Sequence, residues 1–93
     1  MRWIISYDIS NAKRLGKVYR YLCNNALPIQ KSVFLFTGSS YEFDDCMSGV
    51  LSKINLHVDD LRAYPIPQQA RVWTLGISAK AEGIVLDLSL IHI

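Results

Sequence analysis

The sequence contains no apolar run long enough to cross a bilayer, for which about 20 consecutive apolar residues are needed. Its first apolar stretch, residues 3–5, is short and is soon interrupted by Asp8, unlike the apolar region of a secretory signal peptide. Internal repeats and low-complexity segments are also lacking, and the 93 residues fit one small domain. These absences predict a cytoplasmic protein with no membrane partner.

Cysteine is scarce as well, with Cys23 and Cys46 far apart in the sequence. Neither belongs to a Cys-x-x-Cys pair or to a cluster with histidine, which argues against a zinc site. Each lies on the apolar side of a predicted helix, so we expect two buried thiols that serve packing.

Apolar residues, by contrast, are abundant: they make up 51% of the chain, and the mean hydropathy is +0.17. A domain of this size buries only about 60–65% of the surface of its unfolded chain, so its core is thin. The surplus predicts either a dense core or an apolar surface reserved for a partner, as in obligate dimers.

Hydrophobic periodicity and turn residues predict the order strand, helix, strand, strand, helix, strand. The predicted bounds are a strand over 2–8, a helix from an N-cap at Ser10 to about Asn24, a strand-rich stretch over 26–38, a helix from a capping box at Ser39 and Glu42 to about Asn55, and a strand over 59–66. Pro28 places the first part of the 26–38 stretch either in an edge strand or at the beginning of a strand, and residues 30–32 form either a tight connection or a bulge. Further strands are predicted over 70–77 and 84–88.

This order matches the ferredoxin-like βαββαβ plan, an α+β sandwich in which two helices cover one face of a sheet. We assign residues 1–77 to this domain and residues 78–93 to a C-terminal extension. The uncovered sheet face and the additional C-terminal strands predict a homodimer through the sheet faces, with the strand near 70–77 reaching across to the partner.

The last six residues, 88–93, match the translation of the end of a common transposase library adapter. We interpret them as adapter-derived and expect the native C-terminus to be lost after about Asp87. No function is therefore assigned to His92.

The first predicted helix has one apolar face and one basic face. The apolar face has the i, i+3, i+4, i+7 spacing and consists of Leu15, Val18, Tyr19 and Leu22. Lys13, Lys17 and Arg20 lie together on the opposite face, with Arg14 on its flank. A solvated helix face ordinarily mixes both charges, yet residues 10–25 contain no acid. We therefore expect these four cations to contact nucleic-acid phosphates without reading bases. The nearby Tyr19 and Tyr21 could stack on bases, but Tyr19 lies on the apolar face, so we expect it to pack in the core.

Three stretches of the sequence carry a family resemblance. They are Tyr7-Asp8-Ile9-Ser10 followed by Lys13-Arg14, then Ile29-Gln30-Lys31-Ser32-Val33-Phe34, then Asp59-Asp60-Leu61-Arg62-Ala63-Tyr64-Pro65-Ile66. In this order, over residues 1 to about 66 with a continuation to 77, they resemble the CRISPR-associated Cas2 family. The chain departs from the family pattern at Pro28, where a bulkier or basic residue is more usual.

The resemblance implies a ferredoxin-like homodimer and a magnesium-dependent nuclease site in which Asp8 is the catalytic and metal-binding aspartate. It also implies a role beside the Cas1 integrase, which inserts captured DNA into the CRISPR array. The nucleic-acid partner would then be double-stranded DNA, namely the prespacer and the CRISPR repeat.

The chemistry of Asp8 leaves two interpretations open. Magnesium binds through one or two carboxylates, water and phosphate oxygens, so one aspartate per subunit suffices if two Asp8 side chains meet across a two-fold axis. In the structural alternative, Asp8 caps the first helix, a position that aspartate also favours. No histidine or lysine in the motif offers a general base.

The leading hypothesis is thus a CRISPR adaptation protein, a dimeric double-stranded-DNA-binding scaffold of the spacer-integration complex with a magnesium-dependent endonuclease site. That site is either active or kept for a structural role. The alternative is a stand-alone metal-dependent endoribonuclease of the VapD-like toxin type. A small-molecule binder of the same fold is disfavoured, because the sequence has no phosphate loop and no cluster of ligand residues.

Overall fold

A computed structural model of the chain describes residues 1–67. The elements are β1 (Arg2–Asp8), α1 (Ala12–Asn25), β2 (Leu27–Gln30), β3 (Val33–Thr37), α2 (Ser40–Leu51) and β4 (Asp60–Ile66). This βαββαβ order confirms the α+β, ferredoxin-like plan. The strands predicted over 70–77 and 84–88, and the domain boundary after residue 77, lie outside the described residues.

The four strands form one antiparallel sheet in the order β2-β3-β1-β4. Strand β1 is central: Trp3 lies opposite Phe36 of β3 and opposite Pro65 of β4. Pro28 in β2 and Pro65 in β4 both lie on outer strands of this sheet, where a missing backbone N–H is tolerated. Of the two positions predicted for Pro28, the structure of residues 1–67 shows the edge strand.

The connection from β2 to β3 combines the two forms that the sequence left open. Lys31 and Ser32 make a tight turn, with Ser32 in the left-handed region at a φ of 69°, and a register shift between Pro28 and Gln30 marks a bulge. The Ser32 carbonyl accepts a hydrogen bond of 3.2 Å from the Tyr7 N–H. This bond fixes the turn against the end of β1.

The main core lies between the sheet and the two helices. Its buried members are Trp3, Ile5, Tyr7, Ile9, Val18, Leu22, Phe34, Phe36, Cys46 and Val50. Because side chains alternate along a strand, Ile4 of β1 lies on the opposite face, where it forms a second cluster with Ile29 and Ile66. Burial of an aliphatic or phenyl side chain of this size contributes about 1.5–3 kcal/mol to stability.

The sheet face opposite the helices is less open than the sequence suggested. Ile4 is only 2% exposed, and its cross-strand partners are the bulky Leu35 and Tyr64. Adjacent large side chains on neighbouring strands therefore close the centre of this face. Val33, Leu35 and Tyr64 remain half-buried around it.

The helix boundaries confirm one predicted cap and correct another. Ser39 and Glu42 form the predicted capping box, with hydrogen bonds of 3.1 and 2.8 Å. The N-cap of α1 is Asn11 and not Ser10: Asn11 has extended backbone, and its side-chain oxygen accepts the Arg14 N–H at 3.0 Å. Asparagine is at least as good a cap as serine, so the helix begins one residue later than predicted. Helix α2 ends at Leu51 rather than near residue 55.

Helix α1 buries fewer of its side chains than the spacing of its apolar residues predicted. Val18 and Leu22 are fully buried, but Tyr19 is 45% exposed, which contradicts the prediction that Tyr19 packs in the core. Cys23 is exposed whereas Cys46 is buried, so only the Cys46 prediction is confirmed. Cys23 is one residue, about 100° around the helix, from the fully buried Leu22.

Helices α1 and α2 approach each other where Gly49 leaves room for Tyr21. A Cβ at Gly49 would collide with the Tyr21 ring and hydroxyl. The Tyr21 hydroxyl donates a hydrogen bond of 3.1 Å to the Cys46 carbonyl. This contact fixes the orientation of α1, and with it the direction in which the basic face of the helix points.

Candidate nucleic-acid interface and metal site

Asp8 ends β1 with an exposed carboxylate. The preceding residue, Tyr7, packs in the helix-side core, so alternation places Asp8 on the opposite sheet face together with Ile4 and Ser6. Within residues 1–67, the Asp8 side chain has no hydrogen-bond or ion-pair partner. This carboxylate is available to an external ligand.

A second carboxylate stands next to Asp8 in the sheet. Asp60, the first residue of β4, is the direct cross-strand partner of Asp8, and side chains in that relation have Cβ atoms about 4.5–5.5 Å apart on one face. Asp60 also accepts a 3.0 Å hydrogen bond from Arg62. This neighbour is not evident from the sequence, because only the register of β1 against β4 brings the two carboxylates together.

The donors at this end of the sheet fit a hard cation that keeps most of its water. Magnesium takes one or two carboxylates and retains several water ligands, and Asp8 with Asp60 nearby offers that number. Within residues 1–67, no group of three or more potential metal-ligating side chains forms a closed cage. The composition of the site therefore fits magnesium better than a structural zinc.

The alternative role for Asp8, as the cap of α1, is wrong. The cap is supplied by Asn11. Three residues after the end of β1, the chain thus has a dedicated capping side chain, and the Asp8 carboxylate is left without a structural partner among residues 1–67.

Arg14 is engaged in a buried ion pair that the sequence analysis did not predict. Its Nε and Nη2 atoms donate to the two carboxylate oxygens of Asp59 at 2.8 and 3.0 Å, and the Asp59 side chain is completely buried. Asp59 also accepts the Asn55 backbone N–H at 2.8 Å. The hydrogen bonds from Arg14 and then from Asn55 hold the pKa of Asp59 below its usual value.

The Arg14–Asp59 pair gives a structural role to two residues of the motifs that carry the family resemblance. Asp59 opens the third motif and Arg14 follows the first. Their contact ties the first turn of α1 to the loop that leads into β4. Arg14 retains a side-chain exposure of 28%, so only part of the guanidinium faces solvent.

The other three predicted contact residues remain exposed. Lys13, Lys17 and Arg20 are all solvent-accessible on α1, and none of them forms an ion pair within residues 1–67. The structure therefore groups these three cations on the outer side of the helix layer, while Asp8 lies on the other side of the sheet. The predicted phosphate-contacting cations and the predicted metal-binding carboxylate therefore lie on two separate surfaces.

Comparison with known proteins agrees with the fold and the motifs. A family model described as CRISPR associated protein Cas2 matches residues 1–72. The chain belongs to the Cas2 family. Within the part of the chain that the structure describes, no helix is long and apolar enough to span a membrane.

Similar Cas2 relatives come from several bacteria. A protein of Nitrosomonas europaea named CRISPR-associated endoribonuclease Cas2 1 is 42% identical over 82 residues, covering 88% of this chain and 78% of its own length. A Thermodesulfovibrio yellowstonii protein named CRISPR-associated endoribonuclease Cas2 2 is 35% identical over 75 residues, covering 81% of this chain and 82% of its own length.

Crystal structures of related folds agree as well. Streptococcus pyogenes Cas2 superimposes with a TM-score of 0.70 at 28% identity, covering 82% of this chain and all of its own. A hypothetical protein of Thermus thermophilus superimposes with a TM-score of 0.71 at 26% identity, covering 82% and 93%. The ferredoxin-like fold is thus shared with Cas2 structures.

Proposed function

We propose that the chain is a dimeric, double-stranded-DNA-binding scaffold of the CRISPR spacer-integration complex, where it works beside the Cas1 integrase. The observation that carries this proposal is the cationic surface of Lys13, Lys17 and Arg20 on α1. These side chains are exposed, they lack ion-pair partners within residues 1–67, and the helix carries no acid. Cations spaced along a rigid helix suit repeating phosphates and need no base contacts.

The dimer forms through the sheet face opposite the helices. Val33 and Leu35 are half-buried there beside the buried Ile4 cluster, and further burial between two copies would remove this apolar area from water. Asp8 lies on the same face. A two-fold contact through this sheet face brings the Asp8 residues of the two copies toward each other. The basic α1 helices then lie on the outside of the dimer, where they can bind DNA.

A magnesium-dependent endonuclease site is the second part of the proposal, with Asp8 as the ligand. When bound, magnesium polarises a phosphate oxygen and activates water. The Asp8 side chain holds the cation at the strand end, and the adjacent Asp60 adds negative charge that attracts it. The Arg62 guanidinium, bound to Asp60 at 3.0 Å, limits how much of that charge is free.

A stand-alone endoribonuclease is the second candidate function. The relatives that are 42% and 35% identical to this chain are named endoribonucleases, and this name favours RNA as a substrate of the same Asp8 site. The VapD-like toxin interpretation has less support, because the family match is to Cas2. The two candidates differ in what the basic helix binds and in what, if anything, the site cuts.

The test compares the parent with Asp8→Asn, and uses Asp44→Asn, an exposed acid on α2, as the matched control. Each protein is measured for duplex DNA affinity, for cleavage of RNA and DNA with magnesium or a chelator, and for mass by light scattering. We expect Asp8→Asn to abolish any magnesium-dependent cleavage and to leave duplex binding and the dimer intact. Asp44→Asn should behave as the parent.

Three results would contradict these assignments. A monomer at micromolar concentration excludes the dimer, and undiminished cleavage by Asp8→Asn excludes Asp8 as the metal ligand. RNA cleavage by a parent that has no measurable duplex affinity would instead support the endoribonuclease alternative.

A further inference from the structure

A cleft opens between helix α1 and the β2–β3 turn, on the side of the sheet away from Asp8. Its volume is about 720 Å³, and its lining includes Tyr7, Gly16, Tyr19, Gln30, Lys31 and Ser32. This volume falls within the range of small-molecule sites, about 300–1,000 Å³. The volume is therefore large enough for a nucleobase.

The walls of the cleft present fixed aromatic rings. Tyr7 stacks on Phe34 with ring centroids 6.2 Å apart, and Tyr19 meets Phe34 edge to face at 5.8 Å. Tyr19 nevertheless keeps 45% of its surface exposed. Phe34 therefore orients the Tyr19 ring while much of the side chain remains open to a ligand, which is the arrangement that base stacking uses.

A base that stacks on Tyr19 also needs space beside the Tyr19 ring, and Gly16 provides this space. A Cβ at this position would lie 3.2 Å from the Arg20 Nη1 atom, so the absent side chain leaves space that the guanidinium overhangs. Glycine lowers helix stability. At position 16, however, the absence of a side chain leaves the cleft unobstructed on the α1 side. One turn of helix separates Gly16 from Tyr19 on the same face of α1.

The charge around the cleft is of one sign. No acid occurs between Asp8 and Glu42, the stretch that supplies all lining residues except Tyr7. Lys31 lines the cleft and Arg20 lies at its rim. Gln30 and Ser32 add neutral polar side chains. An apolar aromatic slot with a cationic rim complements an aromatic ligand that carries phosphate.

We propose that this cleft binds one unpaired nucleobase of a single-stranded nucleic acid, with the adjoining phosphates on Arg20 and Lys31. The proposal rests on the proposed nucleic-acid-binding function and adds a base-binding subsite to it. Bases inside a duplex are stacked on each other and cannot enter such a slot, so the occupant is a flipped, frayed or single-stranded base. RNA and DNA share this chemistry, because every base has an aromatic face.

The test uses fluorescently labelled decamers whose affinities are measured by anisotropy. One is an adenine DNA decamer, one is its RNA counterpart, and one of each kind has all of its bases replaced by abasic units. A 20-base-pair DNA duplex reports the phosphate contacts alone. We expect the base-bearing strands to bind about tenfold more tightly than the abasic strands of equal charge.

Gly16→Leu tests the location without changing charge. The added side chain fills the cleft, and the nearest obstacle is the flexible end of Arg20, so the helix tolerates it. We expect Gly16→Leu to remove the difference between base-bearing and abasic strands, whereas displacement of the Arg20 guanidinium should change the affinities for the duplex and for the abasic strands alike. Asn24→Leu, which adds the same side chain at an exposed position of α1, should keep the difference.

The outcomes separate the cleft from the proposed function. If the parent binds the duplex but shows no preference for bases on either strand, the cleft proposal is overturned and the scaffold proposal stands. If Gly16→Leu retains the preference, or weakens the duplex and the base-bearing strands equally, the cleft is not the subsite. A parent that binds neither duplex nor strand overturns both proposals. A base preference on RNA alone or on DNA alone supports the cleft and identifies the strand.

Discussion

Helix α1 carries two kinds of positive charge, which have the same sign and differ in what surrounds them. Arg14 donates two hydrogen bonds to the buried carboxylate of Asp59. Lys13, Lys17 and Arg20 have no such partner among residues 1–67. The first cation holds the fold together, and the other three form the surface that we assign to phosphates. Whether a basic residue on a helix is available to a ligand therefore depends on the loops that pack against the helix as well as on the residue's position around the helix.

Loss of the Arg14–Asp59 pair has the largest expected effect. Asp59→Asn removes the charge that balances Arg14, and an uncompensated, largely buried charge is strongly destabilising. We expect the melting temperature to fall by roughly 10 °C or more. The matched control is Asp60→Asn, which breaks the exposed pair with Arg62, whose side chain is 64% exposed. That variant should stay within about 2 °C of the parent, and equal losses for the two would contradict a special role for the buried pair.

The same pair gives the stability a definite pH dependence. The folded-state pKa of Asp59 is lowered by Arg14 and by the Asn55 N–H, so its stabilisation is complete above the unfolded value of about 3.9. It is lost as the pH falls from there through the folded-state pKa. In acid titrations followed by thermal melts, Asp59→Asn should therefore lose less stability than the parent over that window.

The Arg14–Asp59 pair also marks the limit of prediction from sequence. The strand and helix order could be predicted because periodicity is local, and the helical wheel correctly separated Lys13, Lys17 and Arg20 from the apolar side. Asp59 is 45 residues from Arg14, and no local pattern joins them. The same applies to Asp8 and Asp60, whose proximity depends on the register of two strands that are distant in sequence.

Other errors arose where two local signals competed. Ser10 and Asn11 are both good caps, and only the backbone decides that the helix begins at Ala12. Tyr19 fits the apolar spacing of α1, yet the neighbouring β2–β3 turn leaves a cleft beside it instead of packing over it. Periodicity predicts which side of a helix is apolar, but the shape of the opposing surface decides how wide the buried part is.

A smaller effect separates the cap of α1 from the candidate metal ligand. Asn11→Ala removes the acceptor of the Arg14 backbone N–H and should lower the free energy of unfolding by about 0.5–2 kcal/mol. Asp8→Ala removes an exposed carboxylate without a partner in the described part of the chain, so its effect should stay within about 0.5 kcal/mol. Urea unfolding of both variants checks this. A larger loss for Asp8→Ala than for Asn11→Ala would return Asp8 to a structural role.

The smallest expected effect on stability belongs to the three exposed cations, and it comes with a clear effect on binding. The triple variant carries Lys13→Ala, Lys17→Ala and Arg20→Ala. Alanine has a high helix propensity, and no ion pair within residues 1–67 is lost. The melting temperature should therefore hardly change. Each lost phosphate contact lowers the slope of log affinity against log salt by about one. For duplex DNA, the slope of the triple variant should therefore fall by about three.

Arg14→Ala should show the reverse pattern, and this contrast decides whether the two kinds of charge are distinct. Its melting temperature should fall because Asp59 is left buried without its cation. Its salt slope should change by less than about one, because the guanidinium is mostly committed to Asp59 and its side chain is only 28% exposed. If Arg14→Ala instead kept full stability and lost as much slope as a single lysine variant, Arg14 would belong with the phosphate-binding surface, as its position on the helix first suggested.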